Sequence, residues 1–350
     1  MNYNLYSFFY STLALSLFFL YSGCRKDPYP GYDVVIDATG VWSKVGTFSG
    51  NINDMAVCNG KLWIGGDFTT TPSGSATRGS AYYDGTDFFA INHTYLYANS
   101  LFNKFMVSGD TLYAVGSLSS SKGNFLYWNS SFWQTVKPMS NTAAALAEYN
   151  NQFAVFDYYS SSYYYLRVWN GSSWNTSQPN GYVNDMEVYN NELYATGTFY
   201  YIDSYYNYYL SSYNNLGWNN VGANYQYNQP GNDLIVYNNE LYICGNFSSM
   251  GGITQTVGIA KWNGTFWSSV GGGLTNGGAI NKMYASNGSL YICGSFSEIG
   301  GVMVNNAAKW NGSSWSSIGK IFSGYPPTCI VEYNGSLYAA ASGSVYKYTF

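Results

Sequence analysis

Residues able to do chemistry are few here, and their spacing limits function before any fold is considered. The 350-residue chain holds one histidine, His93, and three arginines, Arg25, Arg78 and Arg167. A Ser-His-Asp relay or a pair of opposed carboxylates is not identifiable from spacing, and no Cys-x-x-Cys or Cys/His cluster offers a zinc site. We therefore expect no cofactor, no metal and no catalytic residue. One carboxylate pattern does recur: Asp54, Asp185 and Asp233 each follow an Asn and precede an apolar residue, while another copy of the slot holds Lys282. Carboxylates repeated in one slot could hold a metal, but capping hydrogen bonds to an entering backbone are the reading we favour.

Groups suited to contact are far more abundant. The chain has 39 tyrosines, and many crowd into irregular stretches: Tyr158, Tyr159, Tyr163 and Tyr164; Tyr200, Tyr201, Tyr205 and Tyr206; Tyr225 and Tyr227; and His93 with Tyr95. Tyrosine gives large contact area at low entropic cost, and the Ser and Asn between these residues give adaptable hydrogen bonds. These twelve residues are the expected ligand- or partner-binding set. The opposing reading is that some of the tyrosines merely extend neighbouring strands, alternating in and out. The recurring Trp residues, among them Trp169, Trp174, Trp262, Trp267, Trp310 and Trp315, could stack on sugars. Their fixed positions in strands argue instead for packing, where large rings bury apolar area.

The elements that must position these residues are read from a repeat. Between Gly258 and Gly319, Ala260-Lys261-Trp262-Asn263-Gly264 leads to Trp267, then to Leu290-Tyr291-Ile292-Cys293-Gly294, and Ala308-Lys309-Trp310-Asn311-Gly312 and Trp315 return the same words. Strand-length apolar segments joined by Asn-Gly pairs are hairpin signals, because Asn and Gly tolerate positive φ. Each unit reads as four short antiparallel strands, A to D. The apolar start of strand B recurs at Leu62, Leu112, Phe153, Leu193, Leu241, Leu290 and Leu337, a spacing of roughly 40 to 50 residues that suits four-stranded propeller blades.

The fold class is therefore all-β, a seven-bladed β-propeller. The seventh unit ends after strand C, at Val345 to Tyr348, and Trp42-Ser43-Lys44-Val45-Gly46 reproduces the missing strand D. The N-terminal strand should complete the last blade and close the ring, since closure limits exposed edges. With strands alternating in direction, the A–B and C–D turns share one face. The variable B–C loops and D–A connections, which bear the tyrosines, share the other.

Three regions follow: residues 1–23 as a secretory segment, 24–40 as a tether starting at Cys24, and 41–350 as the propeller. Met1 to Gly23 is apolar and ends abruptly at Cys24-Arg25-Lys26, the pattern of an export signal. Small residues before a Cys at the end of such a run resemble the lipobox of bacterial lipoproteins. The resemblance implies lipidation at Cys24 and a place in the cell envelope, as an outer-membrane lipoprotein; an uncleaved membrane anchor is the alternative. The other cysteines, Cys58, Cys244, Cys293 and Cys329, are expected as free core thiols rather than bridges. Only 9% of residues are charged and the formal net charge is -4, which argues against a nucleic-acid partner.

The motif Trp-Asn-Gly-x-x-Trp, as in Trp169 to Trp174, Trp262 to Trp267 and Trp310 to Trp315, followed by Leu-Tyr-x-x-Gly-x-Phe, resembles kelch-like β-propellers of the Rax2-like and galactose-oxidase central-domain type. The resemblance covers nearly all of Trp42 to Phe350. It implies the ring and says little of function. A copper site of the galactose-oxidase kind cannot be built with His93 alone, and neither an arginine cluster nor Asp-box repeats of the sialidase kind are present. The expected function is non-enzymatic: a protein–protein interaction or scaffolding module using the Tyr-rich face, with a carbohydrate-binding surface as the alternative.

Overall fold

The computed structural model describes residues 40–118, 123–160, 162–222, 229–320 and 325–349. Seven four-stranded antiparallel sheets follow one another along the chain. Their innermost strands, A, are Ile52–Cys58, Leu101–Ser108, Thr142–Tyr149, Val183–Tyr189, Gly231–Tyr237, Ala279–Ser286 and Cys329–Tyr333, in blades one to seven. Turn chemistry explains the hairpins. At every A–B turn except Gly109-Asp110 both central residues have positive φ, for example Asn59 at 49° and Gly60 at 68°, as a type I′ turn requires. At the C–D turns Asn263 and Asn311 each accept two backbone N–H groups, from Thr265 and Phe266 and from Ser313 and Ser314, so the turn is held by its own side chain.

Strands C and D of every blade are joined by a cross-strand aromatic pair. Ring centroids lie 4.7 Å apart for Tyr83 and Phe88, 5.4 Å for Trp128 and Trp133, 5.2 Å for Trp169 and Trp174, 5.2 Å for Tyr213 and Trp218, 5.1 Å for Trp262 and Trp267, and 5.0 Å for Trp310 and Trp315. Most of these rings are buried, which answers for the Trp residues as packing. The exceptions, Phe88, Trp128, Trp169 and Trp174, are half-buried.

The seventh pair closes the ring. Val41–Thr47 pairs antiparallel with Ser344–Thr349, setting Trp42 opposite Tyr348 with their rings 5.2 Å apart. The Trp42 indole Nε1 donates to Ile318 O at 2.7 Å, just as Trp315 Nε1 donates to Val270 O at 3.0 Å one blade earlier. The N-terminal strand thus makes both the intrablade and the interblade contacts of an ordinary strand D.

Trp42→Ala should destabilise the ring by about 3–5 kcal/mol, the usual cost of removing a buried aromatic side chain. Deletion through Thr47 should cost more, because it also exposes the edge of Ser344–Thr349. A thermal melt unchanged by either alteration would contradict closure by this strand.

Candidate functional site

Among the described residues, polar or aromatic side chains come together at the ring axis, at the rim between blades three and four, and in a smaller hollow at blade two. At the axis, each strand A of blades one to six bends at a bulge, and the residue after the bulge points inward. This slot holds Asp54, Lys104, Ala145, Asp185, Asp233 and Lys282, with Cys329 at the matching position of blade seven. The three aspartates each accept a backbone N–H from the next blade: Asp54 from Phe105 at 2.7 Å, Asp185 from Leu234 at 3.0 Å and Asp233 from Met283 at 2.8 Å. They do bond to backbone, but to the neighbouring blade rather than their own.

Two lysines join them. Lys282 Nζ lies 2.6 Å from Asp233, and Lys104 Nζ pairs with Asp185 and lies 4.0 Å from Asp233. Lys104 must reach past blade three to do so, and the methyl group of Ala145 leaves that path open. Burial pushes Asp233 up to about 6 against the pull of Lys282. Burial acts on Asp185 too, but Lys104 and Lys282 outweigh it and hold its carboxyl below the ordinary value. Burial would lower Lys282, yet Asp233 and Asp185 raise it well above normal. Among the described residues no group of three or more His, Cys, Asp or Glu is placed to hold a metal ion.

Lys104, Asp185, Asp233 and Lys282 line a cavity of about 370 Å³ together with Met106, Ala147, Glu187, Ile235 and Tyr284. Among the described residues no lysine forms an ion pair with Glu187, although Lys104 pulls its carboxyl down. Its Oε1 accepts the Val188 N–H at 2.9 Å, and burial together with the Asp185 carboxylate pushes it up to about 7. Lys104 and Glu187 were not singled out from sequence. Aligning the blades would have found Lys104 in the slot of Lys282, whereas the burial of Glu187 depends on the whole ring.

At the rim, the structure divides the sequence-predicted tyrosines. Strands Gln152–Ser160 and Tyr163–Trp169 of blade three run long, pairing Tyr158 with Tyr164. Those two rings turn inward onto Phe156 and Tyr182, with Tyr182 5.0 Å from Tyr158 and 5.1 Å from Tyr164. They extend strands and pack. Tyr159 and Tyr163 alternate outward, at 78% and 57% exposure. In blade four, Tyr201–Ile202 and Tyr205–Tyr206 form a small extra hairpin, and it leaves Tyr205 and Tyr206 exposed at 68% and 63%. Tyr200 is exposed too, its ring 4.9 Å from that of Tyr209.

Between these two projections is a cleft of about 570 Å³. Tyr163, Tyr165 and Tyr201 line it together with the packed Tyr164, and Gln178, Asn180, Asp203, Ser162 and Ser204 supply polar groups. Gln178 and Asn180 belong to the D–A connection and were missed, although the variable loops had pointed to this face. Asp203 lay inside a Tyr-rich run already noted, masked by its neighbours.

His93 and Tyr95 do not join this cleft. Their rings lie 4.7 Å apart, and His93 stacks on Phe132 at 5.4 Å in a separate hollow of about 450 Å³ against Trp133 and Gln134 of blade two. Tyr225 and Tyr227 lie outside the described residues, as does Cys24. Cys58, Cys244, Cys293 and Cys329 are buried free thiols.

The molecule is a seven-bladed β-propeller with an ionic axis and an aromatic cleft at its rim. No family model and no curated protein sequence matches the chain, so the kelch-like resemblance rests on the blade motifs alone. Among solved structures it is similar to a catalytically inactive virginiamycin B lyase from Staphylococcus aureus with quinupristin, at 9% identity and TM-score 0.58 over 89% of this chain and 99% of the other. It is similar as well to the extracellular domain of a protein described as a one-component system from B. thetaiotaomicron, at 10% identity and TM-score 0.59, covering 87% of this chain and 39% of that one. A third, YCF48 bound to D1 peptide, shares 11% identity at TM-score 0.53 over 88% and 95%. Likeness at such identity shows the ring, and rings of this kind host catalysis and binding alike. Among the described residues no helix is long and apolar enough to cross a membrane.

The axial carboxylates predict a pH dependence of stability. Glu187 titrates near 4.5 when unfolded and about 7 when folded, so the folded state binds the extra proton between those values and stability falls as pH rises through that window. Asp233, raised to about 6, adds the same sign lower in the range. Glu187→Gln should flatten the decline and leave the variant more stable than wild type above about pH 7, as read by urea midpoints. A variant whose slope matched wild type would remove Glu187 as the cause.

Proposed function

We propose that the protein is an exported, envelope-tethered binding module that holds carbohydrate in the cleft between blades three and four and does no chemistry on it. The observation that carries this reading is the composition of the cleft: four tyrosines beside amide, hydroxyl and carboxylate groups in one concavity of about 570 Å³. A concave site with aromatic walls and a few convergent polar groups suits a small polar ligand with apolar faces, and a sugar ring has both. The tether belongs to the same reading: export by residues 1–23, lipidation at Cys24 and a place in the outer membrane. Acylation with more than one chain would hold the ring firmly at a bilayer, since each buried methylene contributes about 0.8 kcal/mol.

A protein partner is the second reading. It is favoured by Tyr159, Tyr205 and Tyr206, which stay largely exposed and do not line the cleft, so they extend the contact surface beyond it. Exposed aromatic area of this kind suits protein interfaces.

Detergent-solubilised full-length protein on a glycan array should bind a defined set of saccharides, and Tyr163→Ala with Tyr201→Ala should weaken that binding at least about tenfold with the fold intact. Binding indifferent to those changes, or a blank array with folded protein, would defeat the carbohydrate reading. In the latter case a photo-crosslinker at Tyr205, with one at Leu216 on the opposite face as control, tests the protein reading on intact cells.

A further inference from the structure

The polar groups of the cleft have their hydrogen-bonding sense fixed by the backbone. Asn180 donates its own N–H to Tyr201 O at 3.1 Å, and its side-chain Oδ1 accepts from Tyr200 N at 2.8 Å and Tyr201 N at 3.1 Å. Both lone pairs of that oxygen are thereby used, and the amide cannot flip without losing two bonds. Its Nδ2 is left as a pure donor. Asp203 is held in the same way: its N–H donates to Gln178 O at 2.9 Å and its Oδ1 accepts from Gln178 N at 2.8 Å. That leaves Oδ2 as a pure acceptor.

These two residues sit diagonally across the bridge that joins Pro179 to Ile202, with Ile202 fully buried beneath. The frame is therefore rigid, and the donor and the acceptor belong to one short ladder. A hydroxyl group both donates and accepts, so a fixed donor beside a fixed acceptor matches neighbouring hydroxyls on one ring. Among the described residues the lining carries one carboxylate, Asp203, and no lysine, arginine or histidine. Arg167, behind Tyr165 at 4.6 Å, is committed to Asp157 at 2.7 Å.

We infer that the cleft selects uncharged saccharides, with Asn180 Nδ2 and Asp203 Oδ2 reading adjacent hydroxyls while Tyr163 and Tyr201 supply apolar contact, and that it rejects sugars bearing carboxylates. This rests on the carbohydrate reading above. Uronates and other acidic sugars would meet Asp203 with no cation among the described lining residues to offset the repulsion.

Two near-isosteric substitutions test it without disturbing the frame. Asn180→Asp keeps an oxygen to accept the Tyr200 and Tyr201 N–H groups but turns the donor into an acceptor. Asp203→Asn keeps the acceptor for Gln178 N and turns Oδ2 into a donor. The full-length protein and each variant would be titrated with neutral mannan and β-glucan oligosaccharides and with polygalacturonate fragments, beside thermal melts. The expected result is a loss of about tenfold or more in affinity for the neutral ligand in either variant, unchanged melting for Asp203→Asn, and a relative gain for polygalacturonate in Asp203→Asn alone. Neutral binding that is lost in Tyr163→Ala but untouched by both swaps would overturn the selection mechanism and leave the carbohydrate reading standing. Wild-type preference for polygalacturonate would overturn it too, and binding of none of these ligands or of the array would remove both.

Discussion

The ring depends on one hydrogen bond repeated from blade to blade: a side chain just ahead of the axial slot donates to the carbonyl two residues ahead of the next blade's slot. Asn53 donates to Phe102 O at 3.0 Å, Asn103 to Ala143 O at 2.9 Å, Asn184 to Gly231 O at 2.8 Å, Asn232 to Ile280 O at 2.9 Å and Asn281 to Pro327 O at 2.8 Å. Thr328 donates to Ile52 O at 3.0 Å and joins the last blade to the first. An innermost strand has no further strand to satisfy its edge, and a buried carbonyl left without a donor is costly. These bonds satisfy the edge and fix the angle between blades together.

Blade three breaks the series, because Ala144 has no donor to offer Val183. That is where Lys104 passes Ala145 to reach Asp185, so an ionic span crosses the junction that lacks the amide. Buried ion pairs seldom add net stability over a well-packed apolar replacement, although removing one partner is strongly destabilising. The axial cluster is better understood as fixing the arrangement of blades two, four, five and six. Stability comes from farther out, where aromatic pairs and Trp indoles such as Trp42 and Trp315 link successive blades.

The architecture was legible in the sequence because its determinants are local. Asn59-Gly60 or Asn287-Gly288 specifies a turn by its own φ, and Trp42 announces a strand D by matching Trp315. The axial site was half legible: the Asn-Asp pairs stood out, but the bonding of Asn184 or Asn232 to the next blade required the ring, and Lys104 was hidden by the missing aspartate. The rim was least legible. Tyr158 and Tyr159 are adjacent and of one type, yet one packs on Phe156 and the other faces solvent, because strand alternation and a bulge between Tyr158 and Ser160 decide orientation. The cleft joins residues from a hairpin, a connection and an inserted hairpin, and no single periodicity spans all three.

Backbone strain in blade four suggests why its loop differs from its counterparts. Gly66 donates to Gly79 and Gly245 to Gly258, both acceptors in the left-handed region, while in blade four Gly197 donates to Tyr209 at φ 70°, preceded by Tyr208 at φ 34°. Two successive bulky residues with positive φ are disfavoured, and such strain persists only where surrounding structure enforces it. Asn207 beside them is buried, and its side-chain amide finds no partner among the described residues. What the strained tyrosine gains is its ring contact with Tyr200, whose backbone, with that of Tyr201, orients the Asn180 amide. A glycine at 209 would relax the chain and remove the ring that backs Tyr200. The local cost is therefore tied to the rigidity of the cleft, and rigidity is what lowers the entropy a binding site must lose when it takes up a flexible ligand.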